Sequence, residues 1–288
     1  MRNTMARGLW AVAIAGMSYG LNAFIVKEAG LHGVAMINLL IWQYGVGFLW
    51  FSMKWTRHPI SAYLRRKVWR NPFNWLAGLA GVAVGLLYYE AIRLTTPALA
   101  VLGLFQYPWI LAGLSGFFDR QHWRKNQWLA VIGIALGSVL LLEGNAAGSV
   151  GWIGAAIGLG AGAGYAGYLF SLRHIETGAF SQWTIITLSF SVLIVALVSY
   201  PAQWTGLTHP ATVIFGSVSG VLSEIITLEL LSYAAKRITP GFLAGMTSTE
   251  LPVATGLSWL AFGPWPSLWG WAGLAVLLAS VVILLVGM

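Results

Sequence analysis

Tyr89-Glu-Ala-Ile-Arg-Leu-Thr-Thr-Pro97-Ala-Leu-Ala-Val-Leu-Gly103 returns half a chain later as Ser232-Tyr-Ala-Ala-Lys-Arg-Ile-Thr-Pro240-Gly-Phe-Leu-Ala-Gly245, and each copy is followed by a second proline, Pro108 or Pro252. Both copies join two long apolar runs. A segment echoed at that spacing describes two related halves, a construction that many membrane transporters use.

The solvent follows from composition. With 58% hydrophobic residues, 8% charged residues and a mean hydropathy of +0.76, the chain cannot surround a core with a water-compatible surface. Its outside must face lipid. Cysteine is absent, which removes disulfides, thiolate metal sites and cysteine nucleophiles. Glycines spaced through Gly154-Ala-Ala-Ile-Gly158-Leu-Gly160-Ala-Gly162-Ala-Gly164 are costly in isolated helices but let membrane helices approach closely.

A spanning helix needs about 20 mostly apolar residues. Ten windows qualify, near 8–26, 33–53, 73–93, 97–118, 127–144, 150–172, 180–201, 211–233, 240–262 and 266–287, with short connections everywhere except 54–72. The expected fold is an all-α membrane protein of ten transmembrane helices. With a cytoplasmic N-terminus, fourteen of the sixteen lysines and arginines fall on the inside, and only Lys27 and Arg93 remain outside. That bias places both termini in the cytoplasm, implies a multi-pass protein of the cytoplasmic (inner) membrane, and accounts for the net charge of +8. The basic residues sit at helix ends and form no aromatic-interleaved patch, so nucleic acid is not an expected partner. Most tryptophans lie near the predicted boundaries, where they anchor helices to the interface.

Division at Gly144-Asn-Ala-Ala-Gly-Ser gives repeats over 1–144 and 150–288, five helices in each. An odd helix count makes homologous halves enter the membrane in opposite directions. That is the inverted-repeat geometry that supports alternating access.

Ala-Ile-Arg-Leu-Thr-Thr-Pro97 and Ala-Ala-Lys-Arg-Ile-Thr-Pro240, followed by Gln106-Tyr-Pro108 and Thr249-Glu-Leu-Pro252, resemble the EamA domain of the drug/metabolite transporter superfamily over nearly the whole chain. The resemblance implies export of amino acids or related metabolites, and the aromatic residues of the candidate cavity point to aromatic amino acids within that class.

Charges in the hydrocarbon region are expensive and mark function by default. Glu224 and Glu250 fall near the middle of the eighth and ninth windows, with no lysine or arginine at i±3 or i±4. Two such carboxylates suit capture of a cationic group or proton coupling; a protonated glutamate hydrogen-bonded inside the bundle is the alternative. Glu229, about 500° further round the helix from Glu224, points to another face. Glu90 and Arg93 form an i, i+3 pair, and Lys27 and Glu28 end the first helix. Tyr19, Asn22, Asn38, Trp42, Gln43, Tyr88, Tyr89, Gln106, Tyr107, Trp109, Tyr165 and Tyr168 are candidates to line a central cavity. Their rings would suit an ammonium group or a flat aromatic side chain. Pro108 and Pro252, read as mid-helix, are hinge candidates.

The leading reading is a secondary transporter of a small metabolite, most simply an amino acid exporter, with a carrier for organic cations or quaternary ammonium compounds as the alternative. No Gly-x-x-x-x-Gly-Lys-Ser/Thr loop is present, so gradients or exchange must supply the energy, protons included. No cofactor is expected. The five histidines lie at boundaries on both sides and make no shared metal site, which argues against a membrane-embedded enzyme; the polar residues are too scattered for a channel filter. Oligomeric state is not legible in the sequence.

Overall fold

The computed structural model describes residues 2–57, 60–94, 103–120, 122–142, 152–176, 178–199, 204–262 and 267–286. Among them every regular element is helical: α1 (Arg2–Leu31), α2 (Met36–Arg57), α3 (Ala62–Arg70), α4 (Pro72–Leu94), α5 (Tyr107–Phe118), α6 (Lys125–Leu142), α7 (Trp152–His174), α8 (Ala179–Ser199), α9 (Pro210–Ala234), α10 (Pro240–Thr247), α11 (Glu250–Phe262) and α12 (Leu268–Val286). The expected Gly144–Ser149 linker and the Pro97 stretch of the first echo lie outside the described residues.

Among the described residues five helices, Met5–Leu31, Met36–Arg57, Pro72–Ala91, Ala179–Ser199 and Pro210–Ala234, are long and apolar enough to cross a membrane. Their surroundings invert the soluble pattern. Trp10, Ile14, Met17 and Leu21 form an exposed stripe along α1, as Leu129, Ile132, Leu136 and Val139 do along α6, while Ser18, Asn22, Asn38, Gln43, Ser219, Ser223 and Glu224 are buried. Large apolar residues outside and polar ones inside are stable only where the outer solvent is hydrocarbon. The chain is a multi-pass membrane protein.

Helix contacts come in matched pairs. The pair α4 and α7 packs as α9 and α1 do, α4 on α8 is echoed by α9 on α2, and α5 on α7 by α11 on α1; α2–α8 and α6–α12 pair across the two halves. Glycines permit the closest approaches. A Cβ on Gly103 would lie 2.5 Å from the Gly158 carbonyl carbon, and one on Gly162 would lie 2.6 Å from the Gly103 oxygen. On α1, a Cβ on Gly16 would meet the Thr247 carbonyl at 2.8 Å and one on Gly20 the Glu250 carbonyl at 2.7 Å. Small residues four apart thus receive a neighbouring backbone on both α1 and α7.

Three features depart from the expected windows. The 54–72 connection contains a helix of its own, α3, capped by Ser61, whose Oγ accepts from the Leu64 amide at 3.3 Å. The 240–262 window is two helices, with a turn at Ser248–Thr249, and in the first half α5 starts only at Tyr107, after a turn at Phe105–Gln106. Pro108 and Pro252 are therefore first-turn residues, not mid-helix ones. There the missing N–H removes no helical hydrogen bond. The hinge candidates move from the prolines to the turns before them.

Candidate functional site

Glu224 lies in a π-helical stretch of α9, Gly220–Thr227. Such a stretch inserts an extra residue per turn and recurs at functional sites. Leu222 shows how it is held: its carbonyl accepts from Ser18 Oγ and from Thr227 Oγ1, both at 2.8 Å. The Glu224 carboxylate accepts from Gln43 Nε2 at 2.7 Å and from Ser223 Oγ at 3.4 Å. Ser219 Oγ stands 2.8 Å from Gln43 Oε1 and 2.6 Å from Asn22 Oδ1, and its one proton serves one of them at a time. Asn22, Ser219, Gln43 and Glu224 thereby form a buried polar chain joining α1, α9 and α2. Gly47 makes room for it: a Cβ there would lie 2.8 Å from the Glu224 Cβ.

Glu250 differs. It opens α11, half-buried, and among the described residues its carboxylate has no hydrogen-bond partner. The positive end of the α11 dipole favours a negative group at this position.

Tyrosines connect the two carboxylates. Tyr165 packs edge-on against Tyr19 at 6.1 Å and Tyr107 at 4.8 Å between ring centroids, and lies parallel to Tyr168 at 6.3 Å. Tyr19, Tyr44, Tyr89 and Tyr168 lie within electrostatic reach of Glu224, and Tyr88, Tyr107 and Tyr165 within reach of Glu250. The Tyr107 hydroxyl donates to the Ala244 carbonyl at 2.9 Å and sits 3.1 Å from Ser248 Oγ, which ties the start of α5 to the end of α10. The Tyr165 hydroxyl is buried and has no partner among the described residues.

Several sequence candidates are committed elsewhere. Asn38 Nδ2 donates to the Thr205 carbonyl at 2.9 Å and Trp42 Nε1 to the Leu207 carbonyl at 2.7 Å, so both secure the connection after α8. Trp109 faces outward, 48% exposed, and donates through Nε1 to Gln106 Oε1 at 2.9 Å. Its ring belongs to the surface because α5, starting at Tyr107, turns Tyr107 and Leu111 inward. The expected Glu90–Arg93 pair is not described, because the Arg93 side chain lies outside the described ones. Tyr44, also within electrostatic reach of Glu224, is a cavity residue that the sequence candidates miss.

The opposite pole of the polar chemistry is the helix end that gathers most of the basic residues. Lys54 pairs with Glu229, which Gln182 also contacts, Lys67 with Glu176 at 2.8 Å, and His174 with Asp119 at 2.8 Å. Each pair joins a residue before position 144 to one after 150. Lys67 also holds the Glu176 carboxyl below the ordinary carboxylate range. Arg173 donates to the carbonyls of Ala235 and Ile238, capping the end of α9 and its turn.

A helical bundle with an apolar exterior and a buried polar chain around Glu224 is the setting in which the family match is read. Residues 6–143 match the EamA-like transporter family. No curated protein matches the sequence. A solved crystal structure of a protein with 15% identity superposes with a TM-score of 0.73, covering 99% of this chain and 97% of the other, and shows that the whole chain shares a fold with it.

Proposed function

We propose that the chain is a ten-span secondary transporter, built from inverted repeats over 1–144 and 150–288, that moves a small ammonium-bearing solute by alternating access. The matched helix pairings support the repeats, as do the glycine pairs that receive a broken helix on both α1 and α7. The sidedness is that of the charge bias, with both termini in the cytoplasm of a cytoplasmic-membrane protein.

One observation carries the substrate class: two carboxylates lie within electrostatic reach of several tyrosines, and no described lysine or arginine neutralises either of them. An ammonium group satisfies both features at once, through charge and through cation–π attraction. This favours an organic cation over a zwitterion. An amino acid, aromatic ones included, is the second reading, favoured by the α5 N-terminus at Tyr107, whose positive dipole end suits an α-carboxylate. The carboxylates also suit proton exchange for the bound cation.

Substrate enters a site that one end of the bundle must close. The inter-half pairs Lys54–Glu229, Lys67–Glu176 and Asp119–His174 are the contacts that inward opening would have to break. Uptake into proteoliposomes, with quaternary ammonium compounds and aromatic amino acids as parallel panels, tests the reading. The expected result is transport of an ammonium-bearing compound that Glu224→Gln and Glu250→Gln reduce; unchanged uptake and unchanged pH dependence in both variants would refute the site.

A further inference from the structure

Helix α3 is too short to span, about 13 Å at 1.5 Å per residue, yet it is fixed firmly to one end of the bundle. Val68 is buried, its carbonyl accepts from Asn74 Nδ2 at 3.0 Å, the Trp69 carbonyl accepts from Trp75 Nε1 at 2.9 Å, and Asn71 Nδ2 donates to the His174 carbonyl at 2.9 Å. The level at which it lies is marked by tryptophans. Trp69 packs on Trp75 at 5.5 Å and on Trp183 at 6.4 Å, and Trp183 stacks on Trp55 at 5.0 Å. Clustered indoles of this kind occupy the headgroup zone of a bilayer.

On that level the charges do not balance. The acids described at this end are committed, Glu229 to Lys54, Glu176 to Lys67 and Asp119 to His174. Arg57, Arg65, Arg66 and Arg70 are exposed and make no ion pair among the described residues. At 100° per residue, Arg66 and Arg70 fall with Tyr63, 75% exposed, on the face opposite Val68. Arginine forks match phosphate oxygens in pairs, and the adjoining Tyr63 ring is of the amphipathic kind that sits among headgroups.

We propose that α3, with Arg57, is a binding surface for the phosphate headgroups of anionic phospholipids. It seats the charged end of the bundle on the leaflet through Arg57, Arg65, Arg66 and Arg70. This surface is independent of the transported solute.

The test is binding of a fluorescent short-chain phosphatidylglycerol to the full chain in zwitterionic detergent. Comparison is with R57Q/R65Q/R66Q/R70Q and with a charge control on the same side, R124Q/K125Q. The expected result is a loss of affinity of roughly tenfold or more in the fourfold variant, with the control close to wild type. Phosphatidylcholine and inorganic phosphate should not compete. Comparable losses in both variants, or retained affinity in the fourfold variant, would overturn the proposal, and competition by inorganic phosphate would replace the lipid with a free anion. Should the fourfold variant not fold, R66Q and R70Q singly, with the salt dependence of wild-type binding, decide the same point: losses in both and a steep fall with salt support it, and their absence overturns it.

Discussion

Glu224 and Glu250 are alike in sequence, lone acids in consecutive apolar windows, and unlike in structure. Glu224 is 7% exposed, seated in a π-helical stretch and held by Gln43 and Ser223. Glu250 stands at a helix break, half-buried, with no partner among the described residues. The difference separates two jobs. A carboxylate already bonded to an amide orders the helices around it, whereas one without a partner is available to a ligand. On this comparison we propose Glu250 as the solute's primary counter-charge and Glu224 as the group that sets the shape and field of the cavity.

The largest effect should come from Glu250→Gln. Removing the counter-charge of a desolvated ammonium costs about 2–5 kcal/mol, so binding should weaken by roughly 30-fold or more while thermal stability stays near wild type. Scintillation-proximity binding alongside a melting curve reads both. Next comes Gln43→Leu, which strips Glu224 of its closest donor. A lost hydrogen bond to a charged group is worth about 1.5–3 kcal/mol, and here the melting temperature should fall together with transport. Gly47→Ala attacks the same contact sterically. Its Cβ would stand 2.8 Å from that of Glu224, and overpacking of this kind costs about 1–3 kcal/mol. A melting temperature equal to wild type would show that Glu224 is free to move, and would erase the contrast with Glu250.

The smallest effect on stability belongs to the charged end. Glu229→Gln breaks a partly exposed pair with Lys54, worth about 1 kcal/mol or less. It should leave the fold intact yet raise inward accessibility, measured as faster labelling of a cysteine introduced at Gln182. Unchanged labelling would remove Lys54–Glu229 from the closing contacts.

Much of this was readable from residue order, and the exceptions have physical causes. The duplicated Pro97 and Pro240 segments, the apolar windows and the isolation of Glu224 and Glu250 depend on composition and spacing, which a single chain displays. Asn38 and Trp42, four residues apart, share a helix face, but which neighbour that face meets is a tertiary fact: it is the backbone of Thr205 and Leu207. Pro108 and Pro252 mark irregular helix geometry without saying on which side the break falls; the turns at Phe105–Gln106 and Ser248–Thr249 settle that. The bond from Gln43 to Glu224 spans 181 positions, a separation no local pattern encodes. Helix α3 hid because arginines dilute its apolar character, although Ser61 at its N-cap was visible.

The division of labour between the two carboxylates is tested most directly by calorimetric titration of a quaternary ammonium compound into Glu224→Gln and Glu250→Gln, each folded and in the same detergent. The account predicts that Glu250→Gln loses measurable binding while Glu224→Gln keeps it within about tenfold of wild type, a difference of about 1.4 kcal/mol or less. Full binding by Glu250→Gln, or equal loss in both variants, would contradict it.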